Sequence, residues 1–377
     1  MMKITQVNVV STKIPVIRTH EMNIGTTRHQ ELVVVRVFTD EGIVGIGEAP
    51  HMVGHSQAGE TPWTVRVVLR DKLIPAILGK DPTNIQGIQA AMDLAVPGND
   101  RAKSSINLAV YDITGKALNT PVYNLLGGKY RSAVPLSWSL PIGEVDEIVR
   151  EAEDMYGRGW RILKLKTGRR SLEHDVEAVK RVRQAVGEDV RIRADANQAY
   201  DVRGGIKVTN AMAEWGLEYM EQPVAGWDLE GMAQVRASTS VPIMADESIK
   251  SVRAAYDVAR MKAADYFSIY VCSPGGLINS KKIAVLGEAA GIFGYVGGAL
   301  ESIIGSSAGL HLAASSPGIS LGCEMGSQYL LADDIGTEPL EMKDGALVVP
   351  DGPGLGVTID DRKIAKYMVG QAEQFKA

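Results

Sequence analysis

The sequence predicts an α/β protein, a (β/α) barrel of modified TIM type behind an N-terminal α+β capping domain. The first observation is alternation: from about residue 130, short apolar strand-like segments and amphipathic helix-like segments follow one another, the order that builds a parallel sheet. The second is spacing. Residues 166, 195, 221, 246 and 270 stand at polar strand ends, separated by 29, 26, 25 and 24 residues. That interval is one βα unit, and about eight units close a barrel. An open doubly wound sheet shares the alternation, but no Gly-x-Gly-x-x-Gly turn follows an early strand.

In the first domain, residues 1–128, strands are expected near 3–14 and 31–38, with another led by Ile43–Glu48 after the turn Asp40-Glu41-Gly42. Helices should run from Pro62 to Leu78 and from Ala102 to Leu118. The barrel, residues 129–337, should have strands ending near Leu140, Lys166, Asn197, Glu221, Asp246, Val271, Ala299 and Glu324. Between them the period changes. After Ser171, residues Leu172, Val176, Val179, Val182 and Val186 fall three or four apart, and Gly187 follows as a C-cap would. Another helix starts at Ser251, with Val252, Tyr256 and Ala259 on one side. Residues 338–377 carry strand-like Ala346–Val349 and Val357–Ile359 around the glycine-rich Pro350–Gly356. This piece is too short to stand alone and is expected to complete the N-terminal domain.

Composition narrows the function. The 377 residues are 45% hydrophobic and 23% charged, enough for a sizeable core. A net charge of −5 and the lack of any Lys/Arg block argue against nucleic acid as a partner. Two cysteines, Cys272 and Cys323, leave no disulfide framework and fit a reducing compartment. Met1–Val10 alternates like a strand and lacks a signal peptide's apolar core. The most apolar stretch, Ala284–Leu300, holds Glu288 and five glycines, wrong for a membrane span. A cytoplasmic location without a membrane partner is the expectation.

Strand ends at the C-terminal face of a barrel share one site. Three carry acids: Asp195 in Arg-Ala-Asp-Ala-Asn, Glu221 in Tyr-Met-Glu-Gln-Pro and Asp246 in Met-Ala-Asp-Glu-Ser. One such acid can simply cap the next helix. Three together repel one another, and a hard divalent ion such as Mg²⁺ (with Mn²⁺ as a substitute) relieves that repulsion. One strand earlier, Lys164 and Lys166 are two apart and share a face. Their mutual repulsion is expected to lower one of them towards general-base range.

Lys-x-Lys followed by Asp-x-Asn, Glu-Gln-Pro and Ala-Asp-Glu-Ser resembles the muconate-lactonizing subgroup of the enolase superfamily, within the mandelate racemase/muconate lactonizing enzyme family. The resemblance covers nearly the whole chain. It extends to Thr39-Asp40-Glu41-Gly42-Ile43-Val44-Gly45-Ile46-Gly47-Glu48, Leu125-Leu126-Gly127-Gly128, Glu301-Ser302 with Ile304-Gly305, and His311-Leu312-Ala313-Ala314. It implies that Asp195, Glu221 and Asp246 are the metal ligands, that Lys166 is the acid/base and that Lys164 stabilises an enolate. Asn197, Gln222 and Glu247 would stand behind these groups and orient them, and Glu324 matches an acid at the end of the eighth strand. Loops around Arg18–Arg28 and Pro50–Glu60 would select the substrate, a small carboxylate. Their His20, His51 and His55, together with Glu301, are candidate substrate contacts, although each histidine can equally be a packing residue. A homo-oligomer, octamer or dimer, is also implied.

One departure bears on mechanism. The subgroup carries a lysine on its sixth strand, in a stretch like Ala-Asp-x-x-x-Ile-Lys; here Ala264-Asp265-Tyr266-Phe267-Ser268-Ile269 leads to Tyr270. A phenol can donate a proton but is a poor base near neutrality, and Tyr270 can also serve only to shape the pocket. The seventh strand end, Val296-Gly297-Gly298-Ala299, lacks the histidine of the mandelate-racemase arrangement. With one clear acid/base, cycloisomerisation of an unsaturated diacid is the leading expectation. A dehydratase, or a racemase or epimerase of an amino-acid derivative or dipeptide using Tyr270, comes second. A non-catalytic binding barrel comes third, disfavoured by the retained lysines and acids.

Overall fold

The computed structural model describes residues 1–52 and 59–377. The N-terminal sheet contains β1 (Ile4–Met22), β2 (Gly25–Thr39) and β3 (Val44–Met52), all antiparallel. β1 and β2 run much further than their alternating apolar stretches. Pairing resumes after an irregularity, from His20↔Thr27 to Met22↔Gly25, where the residues are mostly polar. The barrel beneath holds this tip: Ile17 N donates to Leu330 O at 2.9 Å and Ile142 N to Glu21 O at 3.0 Å. Tertiary contact overrides weak local propensity.

One face of the sheet, with Val7, Val9, Val33, Val35 and Val37, packs on Ile74, Ile77, Ile106 and Val110. The helix Pro62–Val68 continues through a π-helical turn, Leu69–Leu73, into Ile74–Ile77. Pro75 has no N–H to give to the preceding turn, and the wider turn absorbs that loss. A helix the sequence reading lacked, Ile85–Ala95, is capped by Asn84, whose Oδ1 accepts from Gly87 N at 3.0 Å. The helix Asp100–Ala117 is buried along almost its whole length, and two glycines of β3 let it approach. A Cβ on Gly45 would lie 2.1 Å from Ala109 O, and one on Gly47 1.9 Å from Ser105 O. Backbone cannot yield as a side chain does. Gly47→Ala is therefore expected to cost about 3 kcal/mol, read as a lower urea midpoint at unchanged slope.

The barrel strands are β5 (Trp138–Leu140), β6 (Ile162–Lys166), β7 (Arg191–Asp195), β8 (Leu217–Glu221), β9 (Ile243–Ala245), β10 (Tyr266–Ile269), β11 (Phe293–Val296) and β12 (Ile319–Cys323), after the short β4 (Ala133–Pro135). They are parallel and in sequential order. A parallel bridge Leu136↔Cys323, with Ser137 N donating to Cys323 O at 2.9 Å, joins first to last. The strands end at or one to three residues before the expected positions. Ser171 and Gly187 cap the helix Leu172–Val186, and Ser251 caps Val252–Arg260.

The C-terminal segment divides. β14 (Ala346–Val348) pairs with β4 on one side and with β13 (Met342–Lys343) on the other, whereas β15 (Met368–Lys376) joins the N-terminal sheet beside β1. Val357–Ile359 forms no strand; Ile359 makes one bridge to Gly336. Glu48 of β3 ties cap to barrel by accepting from Ser302 N at 2.9 Å and Gly305 N at 3.1 Å. Among the described residues, no helix is long and apolar enough to cross a membrane.

Candidate active site

Successive inward positions of the barrel strands form layers. The lower layer contains Arg193, fully buried, its guanidinium 4.9 Å from the Tyr219 ring centroid and 5.2 Å from that of Tyr295. Arg193 donates to Glu218 Oε2 at 2.6 Å and Leu321 O at 2.8 Å. A cation clamped between phenols makes this floor stiff and polar where branched aliphatic residues are usual.

The layer above holds the predicted site. Lys164 Nζ donates to Glu221 Oε2 at 2.8 Å and Glu324 Oε2 at 2.7 Å, and lies 3.5 Å from Asp195 Oδ2. Lys166 Nζ lies 2.5 Å from Asp195 Oδ2 and 3.3 Å from Asn197 Oδ1. Asp195 Oδ1 accepts from Asn197 N at 2.9 Å. Across the site, Asp246 Oδ1 accepts from Lys250 at 2.6 Å and Oδ2 from the Tyr270 hydroxyl at 3.2 Å.

The residues behind these groups lock their backbone. Gln222 Oε1 accepts from Asp246 N at 3.0 Å and Ser248 N at 3.2 Å, while its Nε2 donates to Val224 O and Ser248 Oγ. Asn197 Nδ2 donates to Glu247 Oε1 at 3.2 Å. Asn197, Gln198 and Gln222 have φ of 42°, 68° and 36°. Left-handed backbone at non-glycine residues just past two strand ends is strain of the kind held at functional sites.

The electrostatics correct one expectation. Lys164 does repel Lys166, but the carboxylates outweigh that repulsion. Burial pulls both lysines down, and Glu221, Glu324 and Asp195 hold Lys164 well above its ordinary value; Asp195 does the same for Lys166, less strongly. Neither lysine is moved towards neutrality while the acids carry full charge. Burial opposes ionisation of Asp195, yet the Lys166 and Lys164 ammoniums keep it below the usual carboxylate range. Glu221 is pushed up to about 8 by burial, against the pull of Lys164 and with Asp195, Asp246 and Glu324 adding to the rise. Burial and the Asp246 and Glu221 carboxylates raise the Tyr270 phenol well above its ordinary value. It is a donor only.

The donor set fits a hard divalent cation. Three carboxylates converge at successive strand ends, and Glu221 Oε1 is buried with no hydrogen-bond partner among the described residues. Ammonium groups, the Asn197 N–H and the Tyr270 hydroxyl hold the other oxygens, and among the described residues no three acidic, histidine or cysteine side chains are close enough to grip an ion as they stand.

A cavity of about 500 Å³, open mouth included, adjoins Lys166 and Glu324. Its walls are His20 and Met22 from the β1–β2 tip, Ser137–Ser139, Trp160, Gly298, Leu300, Gly326 and Leu330. Arg18 Nη1 donates to His20 Nδ1 at 3.0 Å, so the ring hydrogen is on Nε2, 3.3 Å from Ser139 Oγ. Burial first, then Arg18, holds His20 well below its ordinary value, a neutral imidazole. The Arg18 charge is spent on Glu151 at 2.6 Å.

Other candidates lie elsewhere. His51 is buried with Nδ1 on Ala49 O at 3.2 Å, and burial lowers it to about 3. Both Glu301 oxygens turn back to Ala299 N, at 2.9 and 2.8 Å, so it braces a loop and does not line the cavity. His55 lies outside the described residues. His311 is structural, accepting from Tyr123 N and meeting Leu355 O at 3.1 Å. Sequence reasoning missed Lys250, although its place four residues after Asp246 was a legible signal.

A closed (β/α) barrel with an α+β cap, carboxylates on three neighbouring strands and a Lys-x-Lys strand beside them define an enolase-type protein. Residues 4–127 match the mandelate racemase/muconate lactonizing enzyme N-terminal domain, and residues 147–363 match the enolase C-terminal domain-like family. The chain is 35% identical to chloromuconate cycloisomerase CbnB of Cupriavidus necator, over 97% of this chain and 99% of that one. Muconate lactonizing enzyme from Pseudomonas fluorescens, solved with muconolactone, superposes with a TM-score of 0.95 at 33% identity, covering 97% and 99% of the two chains. An N-succinyl Arg/Lys racemase from Bacillus cereus also reaches 0.95, at 31% identity over 99% and 100%. The chain belongs to the mandelate racemase/muconate lactonizing enzyme family.

Proposed function

We propose that this enzyme is a muconate-type cycloisomerase, forming an enolate next to the carboxylate of a small unsaturated diacid. Asp195, Glu221 and Asp246 would hold a divalent metal, Mg²⁺ by the hardness of its oxygen donors. When bound, that ion supplies Lewis-acid stabilisation of the charge growing on the substrate carboxylate. Lys164 adds a fixed positive charge from beneath. Lys166 moves the proton at the α-carbon, and Asn197 steadies its ammonium.

The observation that carries this reading is the asymmetry of the two walls. Lys166 stands on one side, and the strand position opposite presents Tyr270, a phenol held protonated. Lactonisation needs one proton transfer on one face, whereas racemisation needs two. The relatives that bear cycloisomerase names support the same choice.

Incubation with Mg²⁺ in D₂O against cis,cis-muconate, acylated amino acids, dipeptides and hydroxy acids tests it. Turnover of cis,cis-muconate to a lactone carrying one deuterium is the expected result. The likeness to a racemase favours one rival, and deuterium in an epimer of a starting amino-acid derivative would replace the cycloisomerase reading with it.

A further inference from the structure

β6 and β10 are the second and sixth strands of an eight-strand ring and face each other across it. Lys166 ends β6, and Tyr270 follows β10. The wall opposite Lys166 nevertheless carries a positive charge. Lys250 closes the 3-10 turn Glu247–Ile249 after β9, and its side chain folds back four residues to Asp246. Its Nζ lies 4.4 Å from the Tyr270 ring centroid, within cation–π range. The ammonium therefore covers the residue that replaces the subgroup's lysine, reaching it from the neighbouring strand.

An exposed Asp–Lys pair at this spacing is ordinarily a surface ion pair of little consequence. This one differs because Asp246 is 1% exposed and belongs to the proposed ligand set. Lys250 is also the most open of the three ammoniums here, at 23% against 1% for Lys164 and 9% for Lys166. A cation accepted by Asp246 shares the charge that now holds Lys250. The ammonium is then left beside Tyr270 and the proposed ligand Asp246 with less of its anion, free to meet an anionic group brought to that ligand.

We propose that Lys250 is a substrate-contacting residue, supplying on the Tyr270 wall the positive charge that the subgroup's sixth-strand lysine would bring. It acts as a fixed charge towards the anionic substrate, with Tyr270 as the support under its ammonium. The proposal rests on the metal-dependent reading above, and its test separates the two.

The full-length protein is treated with an amine acylating reagent with and without Mg²⁺ and adipate, and the Lys250 peptide is quantified by mass spectrometry. Mg²⁺ should raise acylation of Lys250 several-fold, and adipate should protect it. K250M should bind Mg²⁺ at least as tightly as wild type, since a competing cation is gone, and raise KM for cis,cis-muconate about tenfold or more. K250R should restore KM. Acylation indifferent to Mg²⁺, weaker Mg²⁺ binding by K250M, or K250R as impaired as K250M would each overturn the proposal. If wild type neither binds adipate nor turns over muconate, the cycloisomerase reading fails. The response of Lys250 acylation to Mg²⁺ then decides its role alone.

Discussion

Lys166→Ala is expected to lower kcat on cis,cis-muconate by about 10²–10⁴-fold, the span measured for a positioned acid/base group, with little change in KM. The side chain is almost fully enclosed, and among the described residues its ammonium hydrogen-bonds Asp195 and Asn197, at and just past the end of β7. Removing it deletes the proton carrier and leaves Glu221, Asp246 and Lys164 in place. Asp195 loses one cation but keeps Lys164 at 3.5 Å, so the fold should survive. Steady-state kinetics beside a thermal melt checks both halves. A variant that melts like wild type and retains more than a tenth of kcat would remove Lys166 from the chemistry.

Glu221→Gln should have the largest effect on metal binding. Glu221 is the middle one of the three proposed ligands, and its buried Oε1 has no hydrogen-bond partner among the described residues. An amide offers an oxygen of similar shape but no charge, and Mg²⁺ affinity should fall about 100-fold or more, measured by calorimetry. The metal-free protein supplies a second readout. The folded carboxyl titrates near 8, far above its unfolded value near 4.5. Its contribution to stability is thus fully present below the unfolded value and is lost as pH rises through 8. Urea midpoints of the metal-free wild type should carry this falling component between about pH 5 and 8, and Glu221→Gln should lack it. Equal Mg²⁺ binding heats in the two proteins would exclude Glu221 from the ligand set.

Much of this was legible in the sequence, for a definite reason. A parallel barrel strand is apolar and short, its helix has a different period, and its ionisable residues sit at one end. Asp195, Glu221 and Asp246 announce themselves because charge at the end of an apolar strand has few explanations. Ser171 and Gly187 marked a helix through local chemistry alone. The failures concern what is not local. β15 pairs with β1 from the far end of the chain, and the tip of the β1–β2 hairpin is held by the distant barrel residues Leu330 and Ile142, so no alternation marks either. The two lysines were expected to depress each other, but three carboxylates outnumber them, and only geometry shows that count. Lys250 went unnoticed because only the folded chain sets its ammonium over the Tyr270 ring, 4.4 Å from the centroid.

The hairpin tip also separates two tasks that most enzymes entangle. Every proposed metal ligand, and both lysines of β6, belong to the barrel. His20 and Met22, at the cavity wall, belong to a ribbon whose last rungs rest on the barrel through Glu21 and Asn23. The ribbon can be rewritten without changing the identity of any of those barrel groups, provided the Asn23 contact to Asn197 is kept. Such a chain can acquire new substrates by drift in a dozen residues while its costly charge cluster stays untouched. The same property makes it a favourable scaffold for graft experiments, in which tips from relatives are exchanged onto one unchanged barrel.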